Sequence, residues 1–289
     1  MYTIKQFLEE YSTDDKCLQR IYELTYRGVC ECGCTRPLVR VKGRRCYQCP
    51  ECYYQFYPTA GTVFEKTRTP LTYWFFAIFL FTMSKNGLSA CELQRHLGVT
   101  YKTAFRMLRQ IRTLIENDES LFSGVVELDE TYIGGKNKNR HHDKKVEHSQ
   151  GRSYKDKKPV FGILQRGGKV NAYYVPNVRS ATLKPIICDK VEVGSSLMTD
   201  EWNSYSGLSA YYDHQICYHG RKQYVNGDCS TNGLENFWSI VKRSINGSYI
   251  HISKKYLQLY LNEFVFRFNN RDSPNLFSDL LGCLSSRPS

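Results

Sequence analysis

The sequence predicts an α/β protein: a mixed β-sheet flanked by helices, preceded by a small cysteine-rich module and a helical domain. Three observations carry this. Six of the 12 cysteines crowd between Cys30 and Cys52. Between Pro70 and Glu116 the apolar residues recur with helical periodicity. After Ser123 the pattern changes to short β-branched and aromatic runs, followed by alternating helix and strand and then long amphipathic segments.

The first 28 residues carry a helical stripe of Phe7, Cys17, Leu18, Ile21, Tyr22 and Leu24, and read as a helical lead-in. Their start lacks the charged-then-apolar-then-small order of a signal peptide, so the chain is expected to stay in the cytoplasm. In such a chain a local cysteine cluster points to metal rather than to disulfides.

Residues 29–62 hold two cysteine knuckles around a short basic strand-like segment, Leu38 to Arg45, the plan of a zinc ribbon. The second knuckle, Cys49-Pro-Glu-Cys52, has the two-residue spacing that wraps both thiolates and the turn amides around one tetrahedral ion. The first is irregular, because Cys30, Cys32 and Cys34 offer no such pair. Cys30 and Cys32 are the expected partners of Cys49 and Cys52 in holding Zn²⁺, with Cys34 and Cys46 as rivals. The alternative is a set of buried thiols without metal.

Residues 63–117 read as a helical domain. Leu71 to Met83 is strongly apolar, but its 13 residues fall short of the roughly 20 that span a bilayer; a buried helix is expected, and no membrane partner. Ser89 and Glu92 form a capping box, Gly98 ends that helix, and Thr100 caps the next. On the latter, Ala104, Leu108, Ile111 and Ile115 share one face and Lys102, Arg106 and Arg109 another. This is the layout of a helix-turn-helix whose second helix meets DNA, and equally of an amphipathic hairpin with a solvated basic face. The net charge of +12 favours polyanionic partners, nucleic acid first.

From residue 118 to 289 a single α/β domain is expected. Strands are predicted over Val125–Ile133, Pro159–Gln165 and Lys169–Val175, and then a helix SATLKPIICDKV, with Pro185 tolerable only near its start. A strand SSLMT runs into Asp200, another strand is HQICYH, and helices cover about Asn232–Ile245 and Ser253–Asn269. The hydrophilic stretch 136–158, with nine Lys/Arg against three acids, reads as a solvated basic loop; His141, His142 and His148 in it read as surface residues.

Asp129 is expected at the end of the first strand, Asp200 at the end of a later one, and Glu235 on a helix, so the three can converge. Three carboxylates at one point repel each other and call for Mg²⁺ or Mn²⁺, which bind phosphates; two such ions would clamp the attacking and leaving oxygens of a phosphoryl transfer. Taken singly, each acid is more simply a cap: Asp129 of a turn, Asp200 of a helix near Trp202, Glu235 paired with Asn232. The surroundings of Glu235 favour the first reading, since Glu235, Ser239 and Lys242 share a helix face while Leu234, Phe237 and Val241 face inward.

The segments VELDETYIGGK, MTDEWNSY and STNGLENFWSIVKRSINGSYIHIS, with YLNEFVFRFNNR after them, resemble the three catalytic blocks of insertion-sequence DDE transposases related to the eukaryotic Merlin group. The ribbon and QFYPTAGTVFEKTRTPLTYWFFAI resemble that family's N-terminal module, so the likeness covers nearly the whole chain. It implies an RNase H-like fold with Asp129, Asp200 and Glu235 as the metal-binding catalytic trio, Lys242 as the basic residue that follows the Glu, and Asn232 as support. It further implies binding of terminal inverted repeats and target DNA, Mg²⁺-dependent cleavage, joining of 3′-hydroxyl ends, a homodimer or larger assembly on DNA, and a nucleoid-associated location. Trp202, Trp238, Arg243, Lys254 and Lys255 are candidates to hold the DNA, core packing being the simpler role of both tryptophans. The rival readings are a host-adopted DNA-binding factor that no longer cuts and a structure-specific nuclease of the same fold.

Overall fold

The computed structural model describes residues 2–26, 28, 30–115, 120–135, 141–146, 157–217 and 230–284. Residues 136–140 and 147–156 of the basic stretch, with His148, lie outside them, as does Cys229. The chain divides into two compact units, residues 1–116 with 273–289, and residues 117–272.

In the first unit, Thr3 and Thr13 cap α1 (Ile4–Glu10) and α2 (Asp14–Thr25) through their hydroxyls, each satisfying a backbone N–H that the first turn leaves free. The cysteine module forms a small antiparallel sheet of β1 (Val39–Arg40), β2 (Tyr47–Gln48) and β3 (Gln55–Phe56). Helix α3 (Leu71–Met83) is buried on nearly all sides through Leu71, Trp74, Phe75, Ala77, Ile78, Phe79 and Phe81, as expected of so apolar a segment. Among the described residues no helix is long and apolar enough to cross a membrane.

Helices α4 (Ala90–Leu97) and α5 (Tyr101–Arg112) form the expected hairpin: the hydroxyl of Ser89 accepts from the amide of Glu92, Gly98 turns with φ +64°, and Thr100 caps α5. Glycine suits that turn because a Cβ is strained at positive φ. The last helix, α9 (Leu276–Gly282), belongs to this unit and not to the α/β domain that was expected to run to residue 289. The cause is aromatic: Phe277 packs against Tyr2, Phe7, Tyr11, Phe75 and Phe79, and burial of such a ring outweighs its nearness in sequence to α8.

The second unit is a five-stranded mixed sheet. Strands β4 (Val125–Ile133), β5 (Lys158–Gln165) and β6 (Val170–Tyr174) form an antiparallel meander, while β7 (Ser196–Asp200) and β8 (Asp213–Cys217) run parallel to β4 on its other side, giving the spatial order β6-β5-β4-β7-β8. This order and polarity, with helices on both faces, is RNase H-like. One face packs on α7 (Asn232–Ser244) and α8 (Leu257–Asn269) through Ile133, Val160, Leu234, Phe237, Val241, Leu261 and Phe264. The other packs on α6 (Ser180–Lys190) through Val126, Leu128, Phe161, Ile163, Leu183 and Ile187. Because side chains alternate along a strand, Glu127, Asp129 and Thr131 share the α7 face and Val126, Leu128 and Glu130 the α6 face.

Two local expectations change. Pro185 lies at the sixth residue of α6, inside the helix, where its ring removes one backbone hydrogen bond. Asp129 is the fifth of the nine residues of β4 rather than its end, since pairing with β5 carries the strand on to Ile133.

Candidate functional site: an acidic cleft and a thiol cluster

The ladder between β4 and β7 sets Val125 opposite Ser196 and Glu127 opposite Met198. The ladder ends there; Asp129 lies two residues beyond Glu127 on β4 and Asp200 two residues beyond Met198 on β7, near enough for the charge of Asp200 to act on Asp129. Asp200 is the last residue of β7, and its Oδ1 accepts the amide of Trp202 at 3.0 Å, so the local cap also exists.

Glu235 comes from the helix packed on the face that Asp129 shares. Helix α7 buries Leu234, Phe237, Trp238 and Val241 and leaves Glu235, Ser239, Lys242 and Arg243 exposed, the division predicted from helical spacing. An open cleft of about 420 Å³ is lined by Asp129, Glu235, Trp238, Ser239, Lys242 and Arg243. Asp200 is not among its lining residues; sheet register and charge link it to Asp129. Burial, then the charges of Glu130, Asp200 and Glu235, push the Asp129 carboxyl up to about 7, while a backbone hydrogen bond to Glu130 opposes them. An acid held so high at the rim of a cleft makes this a candidate site, because a cation there would relieve the repulsion.

Several contacts around this cleft escaped the sequence reading. Trp238 is nearly buried, yet its Nε1 donates to Asp129 Oδ2 at 3.0 Å, so packing and hydrogen bonding coincide in one indole. Gly162 stands opposite Asp129 on β5, and a Cβ there would meet Trp238 at 2.5 Å and Leu234 at 2.9 Å. Glu127, only 3% exposed, accepts the amide of Leu234 at 3.1 Å and the Nε of Arg166 at 2.9 Å. It caps α7, where Thr231 makes no side-chain capping bond. On the α6 face, Glu130 is buried and its Oε2 accepts the hydroxyl of Tyr205 at 2.5 Å. The only sequence signal for this set is two acids at alternate positions of one strand, Glu127 and Asp129.

Of the other residues named from sequence, Lys102, Arg106 and Arg109 are exposed on α5, with Arg106 also over the ring of Trp74 at 5.9 Å. Trp202 is 37% exposed and its Nε1 donates to the Val178 carbonyl. Lys254 and Lys255 lie over Tyr174 and Tyr256.

In the first unit, the sulfurs of Cys30, Cys32, Cys49 and Cys52 lie within 4.8 Å of one another, the four expected from sequence. The closest approaches are 3.4 Å (Cys30–Cys32), 3.5 Å (Cys30–Cys52) and 3.7 Å (Cys32–Cys49). Tetrahedral bonds of about 2.3 Å to one zinc ion set sulfurs roughly 3.8 Å apart, so the spacing fits. The rivals stand outside: Cys34 donates to the Arg36 carbonyl and Cys46 to the side chain of Gln55. The amides of Cys52 and Glu51 lower the Cys49 thiol to about 6, while Cys30, although the amide of Cys32 acts to lower it, is pushed up to about 12, chiefly by hydrogen bonding with the Cys32 thiol and by burial. Sulfurs so close cannot all ionise without a cation. Outside this module, Cys217, at the end of β8, is disulfide-bonded.

The chain resembles known proteins. The chain is 27% identical over 230 residues to a protein in the transposable element ISH50 of Halobacterium salinarum, covering 76% of this chain and 77% of that protein. It is 36% identical over 112 residues to a transposase-like protein of Haemophilus influenzae, covering 39% of this chain and 90% of that one. A chain in the cryo-EM structure of the simian T-cell lymphotropic virus intasome in complex with PP2A regulatory subunit B56 gamma aligns at a TM-score of 0.30 and 13% identity, over 66% of this chain and 65% of that one, a likeness too distant to carry any conclusion. Residues 121–269, more than half of the chain and nearly all of the second unit, match the ISXO2-like transposase domain, and the protein thus belongs to the ISXO2-like family of insertion-sequence transposases.

Proposed function

We propose that this transposase cuts and rejoins DNA with Asp129, Asp200 and Glu235 as its metal-holding trio. The observation that carries the reading is the cleft in which Asp129 from mid-strand and Glu235 from α7 meet beside Lys242 and Arg243. The donor set fits divalent magnesium or manganese: the oxygens are hard, their charges add, and Asp129 is raised first by burial and then by its acidic neighbours. When bound, such ions supply the positive charge that lowers the pKa of the attacking water or 3′-hydroxyl and stabilises the leaving oxygen.

The chain's own residues then have separable tasks. Trp238 fixes the rotamer of Asp129 by its indole N–H, and the buried face of α7 fixes Glu235. Lys242 and Arg243, exposed on the cleft wall, bind phosphates flanking the scissile bond and orient the strand. The open cleft admits a duplex backbone rather than enclosing a small molecule.

In the first unit the four thiols fit one Zn²⁺, which would staple the two knuckles together. Lys102, Arg106 and Arg109 on the second helix of the α4–α5 hairpin would contact the DNA of the element's ends. Cutting two ends and joining both requires more than one active site, so a homodimer or larger assembly on DNA is expected.

The test is cleavage and strand transfer by the full chain on duplexes carrying the element's own ends. A chain that binds these ends with an intact trio and never cuts supports the non-cleaving factor; cleavage set by DNA branching rather than by end sequence supports the nuclease.

A further inference from the structure

We infer that Glu127 is a positioning residue for Glu235, which it holds in register with Asp129 by clamping the start of α7 to β4. The inference deepens the proposed function and rests on the reading of Asp129 and Glu235 as partners in catalysis.

Helix α7 touches β4 through two hydrogen bonds. Near its start, the amide of Leu234 donates to Glu127 Oε2 at 3.1 Å. One turn later, the indole of Trp238 donates to Asp129 Oδ2 at 3.0 Å. From Leu234 to Trp238 the helix advances about 6 Å, and from Glu127 to Asp129 the strand advances about 6.7 Å. The steps match, so the two bonds close together only when helix and strand run side by side in one register. Slippage of α7 by one residue would rotate it by about 100° and carry Glu235 off the cleft wall.

Glu127 is itself held. Its Oε1 accepts Nε of Arg166, at the turn between β5 and β6, at 2.9 Å, and the same guanidinium donates through Nη2 to the carbonyl and hydroxyl oxygens of Ser230, each at 2.9 Å. Arg166 thereby joins the acid to the residues that lead into α7. Gly233 completes the fit, since a Cβ there would come within 2.8 Å of Glu127 Oε2 and 3.1 Å of Leu164. Both oxygens of Glu127 are engaged in these hydrogen bonds, and the residue is absent from the lining of the cleft. Its burial alongside a charged partner is costly unless the geometry is used.

The test compares the full-length wild type with Glu127→Gln and Gly233→Ala, with Asp129→Ala and Glu235→Ala as reference. Gln keeps the shape but turns an amide N–H toward one of the two donors; Ala at 233 leaves every charge in place and displaces the same carboxylate sterically. For each chain the melting temperature, the Kd for end DNA, the Mn²⁺ affinity by titration and the Mg²⁺ dependence of single-turnover cleavage are measured. The expected result is loss of cleavage and weakening of Mn²⁺ binding by about 10- to 100-fold in both variants, as for residues that orient ligands from behind, with end-DNA Kd unchanged and more Mg²⁺ needed for half-maximal rate. Wild-type cleavage and Mn²⁺ affinity in a folded Glu127→Gln chain, while Glu235→Ala is dead, overturns the positioning role. So does a fall in melting temperature and DNA binding together with wild-type Mn²⁺ affinity, which marks a purely structural cap, and so does failure of both variants to fold. Should Asp129→Ala and Glu235→Ala cut like wild type, it is the proposed trio that fails, a result distinct from any of these.

Discussion

The indole Nε1 of Trp238 donates to Oδ2 of Asp129 at 3.0 Å, across a gap kept open because the residue opposite Asp129 on β5 is Gly162. A strand acid is thereby locked to the helix that presents Glu235. Trp238→Phe keeps most of the packing and removes the donor, so its ionised Asp129 is destabilised by about 1.5–3 kcal/mol, as for a hydrogen bond to a charged group. The acidic limb of the cleavage pH profile shifts to higher pH, while end-DNA binding holds. An unshifted profile contradicts this role.

Gly162→Ala places a methyl group where Trp238 and Leu234 already stand. Overpacking of this kind costs about 1–3 kcal/mol, and thermal or urea denaturation reads the loss directly. A chain as stable as wild type, with full cleavage, would mean that Trp238 moves aside freely.

Asp129 also makes stability depend on pH. Its pKa of about 7 in the folded, metal-free chain lies above its ordinary value of 3.8. The folded state therefore binds a proton that the unfolded state releases, a contribution fully present below about pH 4 and lost as pH rises through 7. Asp129→Asn, always neutral, is expected to melt at a higher temperature than wild type near pH 8 without divalent metal, and the gap closes toward pH 4. Adding Mn²⁺ narrows the gap by stabilising wild type alone. A gap that does not vary with pH contradicts the raised pKa.

The thiol cluster predicts metal content. Wild type purified under reducing conditions is expected to carry about one zinc per chain, measured by elemental analysis. Cys49→Ser or Cys52→Ser should lose it, and so should Cys30→Ser or Cys32→Ser, whereas Cys34→Ser and Cys46→Ser retain it. Zinc retained in Cys32→Ser and lost in Cys34→Ser would exchange the ligands.

Much of this arrangement was legible in the sequence because it depends on local spacing. The α4–α5 hairpin follows from Ser89, Gly98 and Thr100, and the exposed face of α7 from the positions of Glu235, Ser239 and Lys242. Cys30 and Cys32, irregular as a knuckle, nevertheless converge on Cys49 and Cys52. What stayed hidden is long-range. The cap of α7 comes from Glu127, 107 residues before Leu234, and no spacing rule reaches that far. Phe277 carries α9 into the first unit through contacts with rings hundreds of residues earlier in the chain. The space for Trp238 depends on Gly162, whose meaning appears only once β4 and β5 are paired.

The most direct measurement is Mg²⁺-dependent cleavage and strand transfer on DNA carrying the element's own ends, with wild type beside Asp129→Ala, Asp200→Ala and Glu235→Ala. The trio predicts that wild type cuts and joins, while each variant folds, binds the ends and does neither. Cleavage by any one of the three variants at the wild-type rate would contradict it and move the chemistry to a different set of residues.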